Sequence, residues 1–201
     1  LDFATPTELV DLPSKGKFYP PNHPLHGQET IEIKYMTARD EDILTSPTLL
    51  KKGVAIDRFL QNVILNQRIN VSSLLSGDKN AILVASRING FGSDYTTKVT
   101  CPNCATVSEN TFNLDGVEEY LGDDFGDYDI VPTEHGTFII KLPRTKFEVE
   151  VRLLTSRDEN ELAAKMQANK KNKNRIETNL TDQLKKVIVS VNGVDDMETI
   201  H

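Results

Sequence analysis

The sequence predicts an α+β fold of two related halves, each a loop, a strand, a capped helix and a further helix, with a Cys-x-x-Cys β-hairpin inserted between them. Three observations lead there. Apolar/polar alternation with period two sits directly upstream of helical spacing in two places, Ile31–Met36 and Phe147–Leu153. The stretches that follow, Tyr35–Leu44 and Leu153–Leu162, agree at five of ten positions. Between them, Cys101-Pro102-Asn103-Cys104 is flanked on both sides by alternating, strand-like residues. These features divide the chain into an extended proline-rich arm (1–30), a first half (31–92), a hairpin with an acidic loop (93–130) and a second half (131–201).

Each element has a local reason. Pro6, Pro13, Pro20, Pro21 and Pro24 fix φ and donate no hydrogen bond, so residues 1–30 are expected to run extended. Ile31–Met36 alternates as a strand, and Thr37-Ala38-Arg39-Asp40 then has the form of a capping box opening a short helix that Pro47 ends. Ile56, Phe59, Leu60, Val63 and Ile64 make one apolar stripe on a helix at about 54–66. A helix at about 78–89 carries Ala81–Ala85 and Ile88, apolar nearly all round, and is expected to be central. Asn89-Gly90-Phe91-Gly92 stops it, because glycine accepts the left-handed backbone that closes a helix. Two short strands then surround the cysteine pair, and an acidic segment runs from Asp115 to Asp129. The chain ends with strands at 138–141 and 147–153, a helix from Thr155, a basic polar connection over Lys165–Arg175, and a last helix at about 180–191.

The likeness of the two halves extends past the ten-residue match. Leu12-Pro13 and Leu142-Pro143 precede the two strands, and Ile56, Leu60, Val63, Ile64 have the same spacing as Leu180, Leu184, Val187, Ile188. The Thr and Asp of each copy, Thr37 with Asp40 and Thr155 with Asp158, are expected to cap their helices, each cap contributing about 1 kcal/mol. Arg39 and Arg157 are then free to reach a neighbouring oxygen, and a structural role for these motifs outweighs a catalytic one.

Composition narrows the function. Of 201 residues, 38% are hydrophobic, 26% are charged, and none is tryptophan, which suffices for a packed core. A formal net charge of −7 argues against a general nucleic-acid binder, and no specific nucleic-acid partner is expected. No stretch approaches the roughly 20 apolar residues of a membrane-spanning helix, so no membrane partner is expected. Two cysteines three positions apart do not make a disulfide framework.

The sharpest chemical motif is the Cys101/Cys104 turn, which has the form of one knuckle of a zinc ribbon. A closed tetrahedral site requires two further ligands, for which His23 and His26 from the proline loop, or His135, have suitable chemistry. Zinc is therefore a candidate cofactor, and a zinc-ribbon-like adaptor that binds protein or nucleic acid is the alternative function. A redox role is disfavoured, since a reactive Cys-x-x-Cys sits where a strand meets a helix, whereas Ala105–Ser108 alternates like a strand. No phosphate loop, nucleophile elbow or histidine triad is present, so no enzyme is expected.

The ordered set Asp11-Leu12-Pro13-Ser14-Lys15-Gly16-Lys17-Phe18-Tyr19-Pro20, Met36–Leu44, Gly53–Asp57, Gly77–Leu83 with Arg87-Ile88, and Tyr95 leading into Cys101–Cys104 resembles the small baseplate hub and hub-assembly proteins of T4-like contractile-tailed bacteriophages. The resemblance covers about residues 10–190. It implies a non-enzymatic protein of the tail baseplate hub, made in the infected bacterial cytoplasm during tail assembly, with other hub proteins as partners and self-association compatible with the role. Pro13, Phe18, Tyr19 and Pro20 would form a preordered, partly apolar arm that docks on a partner. Removing residues 1–20 is then expected to abolish docking and leave the melting temperature nearly unchanged.

Overall fold

The computed structural model describes residues 5–116, 129–171 and 178–196. It is α+β and divides into two compact units. The first takes the chain through Asp11, then Ile31–Gln67, then Asn80 through the hairpin; the second takes Leu12–Thr30, Arg68–Lys79 and the C-terminal sheet and helices.

In the first unit, strand β1 (Thr7–Asp11) pairs with β2 (Thr30–Lys34). Hydrogen bonds from Tyr35 N–H to the Pro6 carbonyl (2.8 Å) and from Leu12 N–H to the Glu29 carbonyl (2.8 Å) frame this antiparallel ladder. Helix α1 (Ala38–Thr45) opens at Thr37, whose backbone N–H (2.9 Å) and hydroxyl (2.6 Å) both donate to the Asp40 carboxylate. Asp40 is fully buried, accepts a further hydrogen bond from Asn62, and lies 3.9 Å from the Lys34 ammonium. Helix α2 (Pro47–Lys52) was not expected: Pro47 ends α1 but also starts α2, with Ser46 capping it through the Leu49 N–H. Proline suits the first turn because its missing N–H would have no helical partner there. Helix α3 (Ala55–Val63) buries Phe59, Leu60 and Val63, and Ile64 just beyond it bridges Ile33 of β2.

Helix α4 (Ser76–Phe91), whose first turn counts with the second unit, is not the central helix its composition predicts. Asp78, Ile82 and Ser86, four residues apart, are its buried line, whereas Val84 and Phe91 are exposed. Apolar content overstates burial when the facing surface is narrow. Strands β3 (Asp94–Thr100) and β4 (Val107–Asn113) form the expected hairpin, pairing Asp94 with Asn113 through Thr100 with Val107.

In the second unit, residues 12–30 form a folded loop and Val71–Ser73 a 3-10 turn. The sheet order is β5 (Ile130–Pro132), β6 (Thr137–Lys141), β7 (Glu148–Arg152), β8 (Ile188–Val191), all antiparallel. Helix α5 (Ser156–Lys171) runs on into the basic segment expected to be a connection, because Glu, Lys, Ala, Met and Gln are good helix formers. The rest of that segment, like most of the acidic loop and Leu1–Ala4, lies outside the described residues. Helix α6 (Asn179–Val187) stops earlier than expected, since Ile188-Val189-Ser190-Val191 is taken up as β8. Its β-branched residues favour the extended form once a strand is available to pair with.

The second capping box has the same chemistry as the first. Thr155 N–H (3.0 Å) and hydroxyl (2.8 Å) donate to the Asp158 carboxylate, and Arg152 donates to both of its oxygens at 2.7 and 2.8 Å. Lys186 of α6 stands 4.0 Å away. The Arg152 hydrogen bonds, set against burial and reinforced by Thr155, hold the Asp158 carboxyl well below the usual carboxylate range. At Asp40 burial alone would raise the value, but hydrogen bonds from Thr37 and Asn62 and the Lys34 charge outweigh it and leave it lowered.

Both groups thus stabilise the fold in their charged form. That contribution is complete above the unfolded carboxyl value of about 4 and is lost as pH falls from there through the folded value. We expect Asp158→Asn to cost about 1–2 kcal/mol at pH 7, a Tm lower by about 2–8 °C. The gap to the parent protein should narrow below pH 4. A gap independent of pH in thermal melts would show that the carboxylate charge is not what holds this corner.

Candidate functional site

The proline loop in the second unit is built around one buried carboxylate. Asp78 is fully buried and accepts hydrogen bonds from Ser14 N–H (2.9 Å), the Ser14 hydroxyl (2.6 Å) and the Tyr19 hydroxyl (2.7 Å). The Tyr19 oxygen in turn accepts from the Leu75 N–H (3.1 Å). Burial first, and then the Asp78 charge, push the Tyr19 phenol above its ordinary value, so it stays a donor. Leu12, Tyr19 and Leu25 are all buried. The expected free arm is therefore corrected: from Leu12 onward this segment is folded and anchored through buried Leu12, Ser14, Tyr19 and Leu25, because Ser14 and Tyr19 supply the hydrogen bonds that a buried Asp78 requires, while Pro13 and Pro20 stay exposed.

The histidines of the loop serve the same structure. Nδ1 of His23 accepts the Leu25 N–H at 3.1 Å, which places its hydrogen on Nε2, 2.8 Å from the Ser73 hydroxyl. Its ring stacks on Tyr19 with centroids 4.3 Å apart, and burial holds its imidazole below the ordinary value. Nδ1 of His26 lies 2.7 Å from the Tyr19 carbonyl, to which it donates. His23 thus has no ring nitrogen left for a metal.

Phe18, Tyr19, Pro20 and His23 line a cavity of about 320 Å³ in this unit together with His135, Thr137, Arg152 and Leu153. Pro13 and Phe18 border a second cavity of about 250 Å³, beside Leu75, Gly77 and Leu154. The loop is held close to β6: Gly136 has φ +76° and a side chain there would meet the Phe18 carbonyl at 2.7 Å, so glycine is required on both counts. Pro13, Phe18, Tyr19, Pro20, His23 and His135 are therefore brought together, around cavities rather than on an arm. Arg152 and Leu153, which complete the wall, carry no motif of their own and become visible only once β7 is paired with β6.

The cysteines lie in the first unit, in the turn between β3 and β4. Cys101 N–H donates to the Thr106 carbonyl (2.9 Å), Ala105 N–H donates to the Cys101 carbonyl (2.9 Å), and Ala105 has φ +56°. The Cys104 sulfur is 3.3 Å from the Thr106 hydroxyl. Thr106 and then the Cys101 thiol stabilise the thiolate and hold Cys104 below its ordinary value. Neither cysteine is in a disulfide, and the turn joins strand to strand, not strand to helix. Among the described residues no group of three or more His, Cys, Asp or Glu side chains is arranged to hold a metal. Two thiols make half of a zinc site.

The hairpin itself is exposed on both faces. Tyr95 stands opposite Phe112, and Val99 and Val107 are also exposed. In the second unit Leu180 and Leu184 of α6 are exposed, Leu180 at 69%. Among the described residues no helix is long and apolar enough to cross a membrane.

Compared with known proteins, the chain fits the family model described as T4 bacteriophage base plate protein over residues 5–129. No curated protein and no solved structure matches the chain.

Tyr19→Phe removes the donor to Asp78 and the acceptor of the Leu75 N–H together. We expect it to cost about 1–3 kcal/mol, read as a lower Tm by calorimetry. Removal of residues 1–20 is likewise expected to lower Tm sharply; an unchanged Tm in both would return the loop to the status of a free arm.

Proposed function

The chain belongs to the T4 bacteriophage base plate protein family, and on that footing we propose that it is a non-enzymatic structural or assembly protein of the baseplate hub, acting through contacts with other baseplate proteins. The observation that carries this reading is the β3–β4 hairpin. A two-stranded ribbon alone in water is marginal at best, and this one exposes Tyr95, Val99, Val107 and Phe112. Such apolar residues on a ribbon exposed on both faces suit burial against a partner. Leu180 and Leu184 on α6 add a second exposed apolar pair. The hub partners meet the chain in the infected cytoplasm during tail assembly, and the finished tail baseplate is its destination if it stays in the particle.

The two halves are, in this reading, copies of one unit that have diverged. Several pairs of contacts support it. The Thr7 hydroxyl donates to Glu32 at 2.8 Å, and the Thr137 hydroxyl donates to Glu150 at 2.6 Å. Leu12 N–H donates to the Glu29 carbonyl, and Leu142 N–H to the Phe147 carbonyl. Ile64 bridges Ile33, and Ile188 pairs with Val151. Asn62 and Lys34 converge on Asp40 as Lys186 and Arg152 converge on Asp158. The register is the same at every one of these positions.

The role is tested by quantitative mass spectrometry of purified particles beside lysates of infected cells. A fixed small copy number in particles makes the chain a structural hub component. Presence in lysate only, in complexes with hub proteins, makes it an assembly factor. Absence from both overturns the proposal.

A further inference from the structure

In the C-terminal sheet, β6 has neighbours on both sides, β5 and β7. Its hydrogen bonds to the β5 side are made at Thr137, Ile139 and Lys141: Thr133 N–H donates to the Thr137 carbonyl at 2.8 Å, Ile139 pairs with Val131, and Lys141 N–H donates to the Asp129 carbonyl at 3.4 Å. The counterpart of β6 in the first unit is β1, with Thr7, Leu9 and Asp11 in the places of Thr137, Ile139 and Lys141. The bonds at Pro6 and Leu12 that frame the β1–β2 ladder, by antiparallel alternation, direct the backbone groups of Glu8 and Val10 to β2 and those of Thr7, Leu9 and Asp11 outward. Among the described residues no strand pairs with that outer edge, and Leu9 is 68% exposed where Ile139 is half-buried.

We infer that the outer edge of β1 is a strand-addition site, filled by an extended segment of another baseplate protein that takes the place β5 takes in the second unit. Strand addition uses the unpaired backbone groups for affinity and the alternate side chains for choice of partner. The copy specifies those side chains. Val131 stands opposite Ile139, so the incoming strand presents a β-branched apolar residue opposite Leu9. Asp129 stands in register with Lys141, but the first unit has Asp11 at that place, so the sign reverses and the incoming residue there is Lys or Arg. The chain's own β5 sequence, which would set Asp129 against Asp11, is thereby disfavoured as the occupant. The inference rests on reading the halves as copies. The baseplate role is tested separately in particles, so failure here would remove the strand site and leave that role standing.

The probe is a capped peptide of residues 129–134 carrying Asp129→Lys, titrated to millimolar concentration into the isotope-labelled full chain and followed by amide NMR. We expect shifts grouped on Thr7, Leu9 and Asp11, tighter binding than the unaltered peptide by about two- to five-fold, and reversal of that order in the Asp11→Lys protein. Asp11 is exposed, so this variant keeps the fold. Absence of shifts at β1, shifts confined to Thr137–Lys141 through displacement of β5, or a preference that ignores the Asp11 charge would each overturn the inference. So would sedimentation showing a dimer of the free chain that is lost in Leu9→Asp, since a second copy would then hold the edge.

Discussion

A buried aspartate one turn into a helix is the interaction on which each unit depends. Asp40 caps α1 through Thr37, takes a hydrogen bond from Asn62 on α3 and faces Lys34 of β2, so one side chain fixes a strand, a helix start and a second helix. Asp158 does the same for β7, α5 and α6 through Arg152, Thr155 and Lys186. A buried carboxylate is costly unless all its oxygens are satisfied, and here the donors that satisfy it come from a strand and a second helix as well as from the helix start itself. The geometry is consequently specified in register as well as in composition.

Asp78 applies the same logic to the proline loop. Its donors, Ser14 and Tyr19, lie more than fifty residues away in sequence, and meeting them draws the loop into the second unit. The capping boxes were legible in the sequence because donor and acceptor are three residues apart and the motif is local. The burial of Tyr19 was not, since proline content reports local stiffness and says nothing of where a stiff segment docks. The same limit explains α4: Ala81–Ala85 reads as a central helix by composition, whereas the line actually buried is Asp78, Ile82 and Ser86. Helix α2 and strand β8 were missed for a related reason. Pro47 is both a stop and a start, and Ile188–Val191 continues an apolar helical pattern until a neighbouring strand claims it.

Of the candidate site, most of the residues were legible in the sequence, but not that they would gather around a cavity. Phe18, Tyr19, Pro20, His23 and His135 do gather, but as the walls of a cavity in the second unit. The β1 edge was invisible, because an unpaired strand and a paired one have the same alternation. Among the described residues β6 carries a neighbour on that side and β1 does not.

On the proposed reading, one half of the fold is completed internally by β5 and the other by a neighbouring baseplate protein. The most direct measurement is a cryo-electron microscopy map of baseplate complexes that contain the chain, at a resolution that traces strands. We expect a strand of a neighbouring baseplate protein running along Thr7–Asp11, with an apolar residue against Leu9 and a basic one against Asp11. A map in which that edge faces solvent within the complex would contradict it.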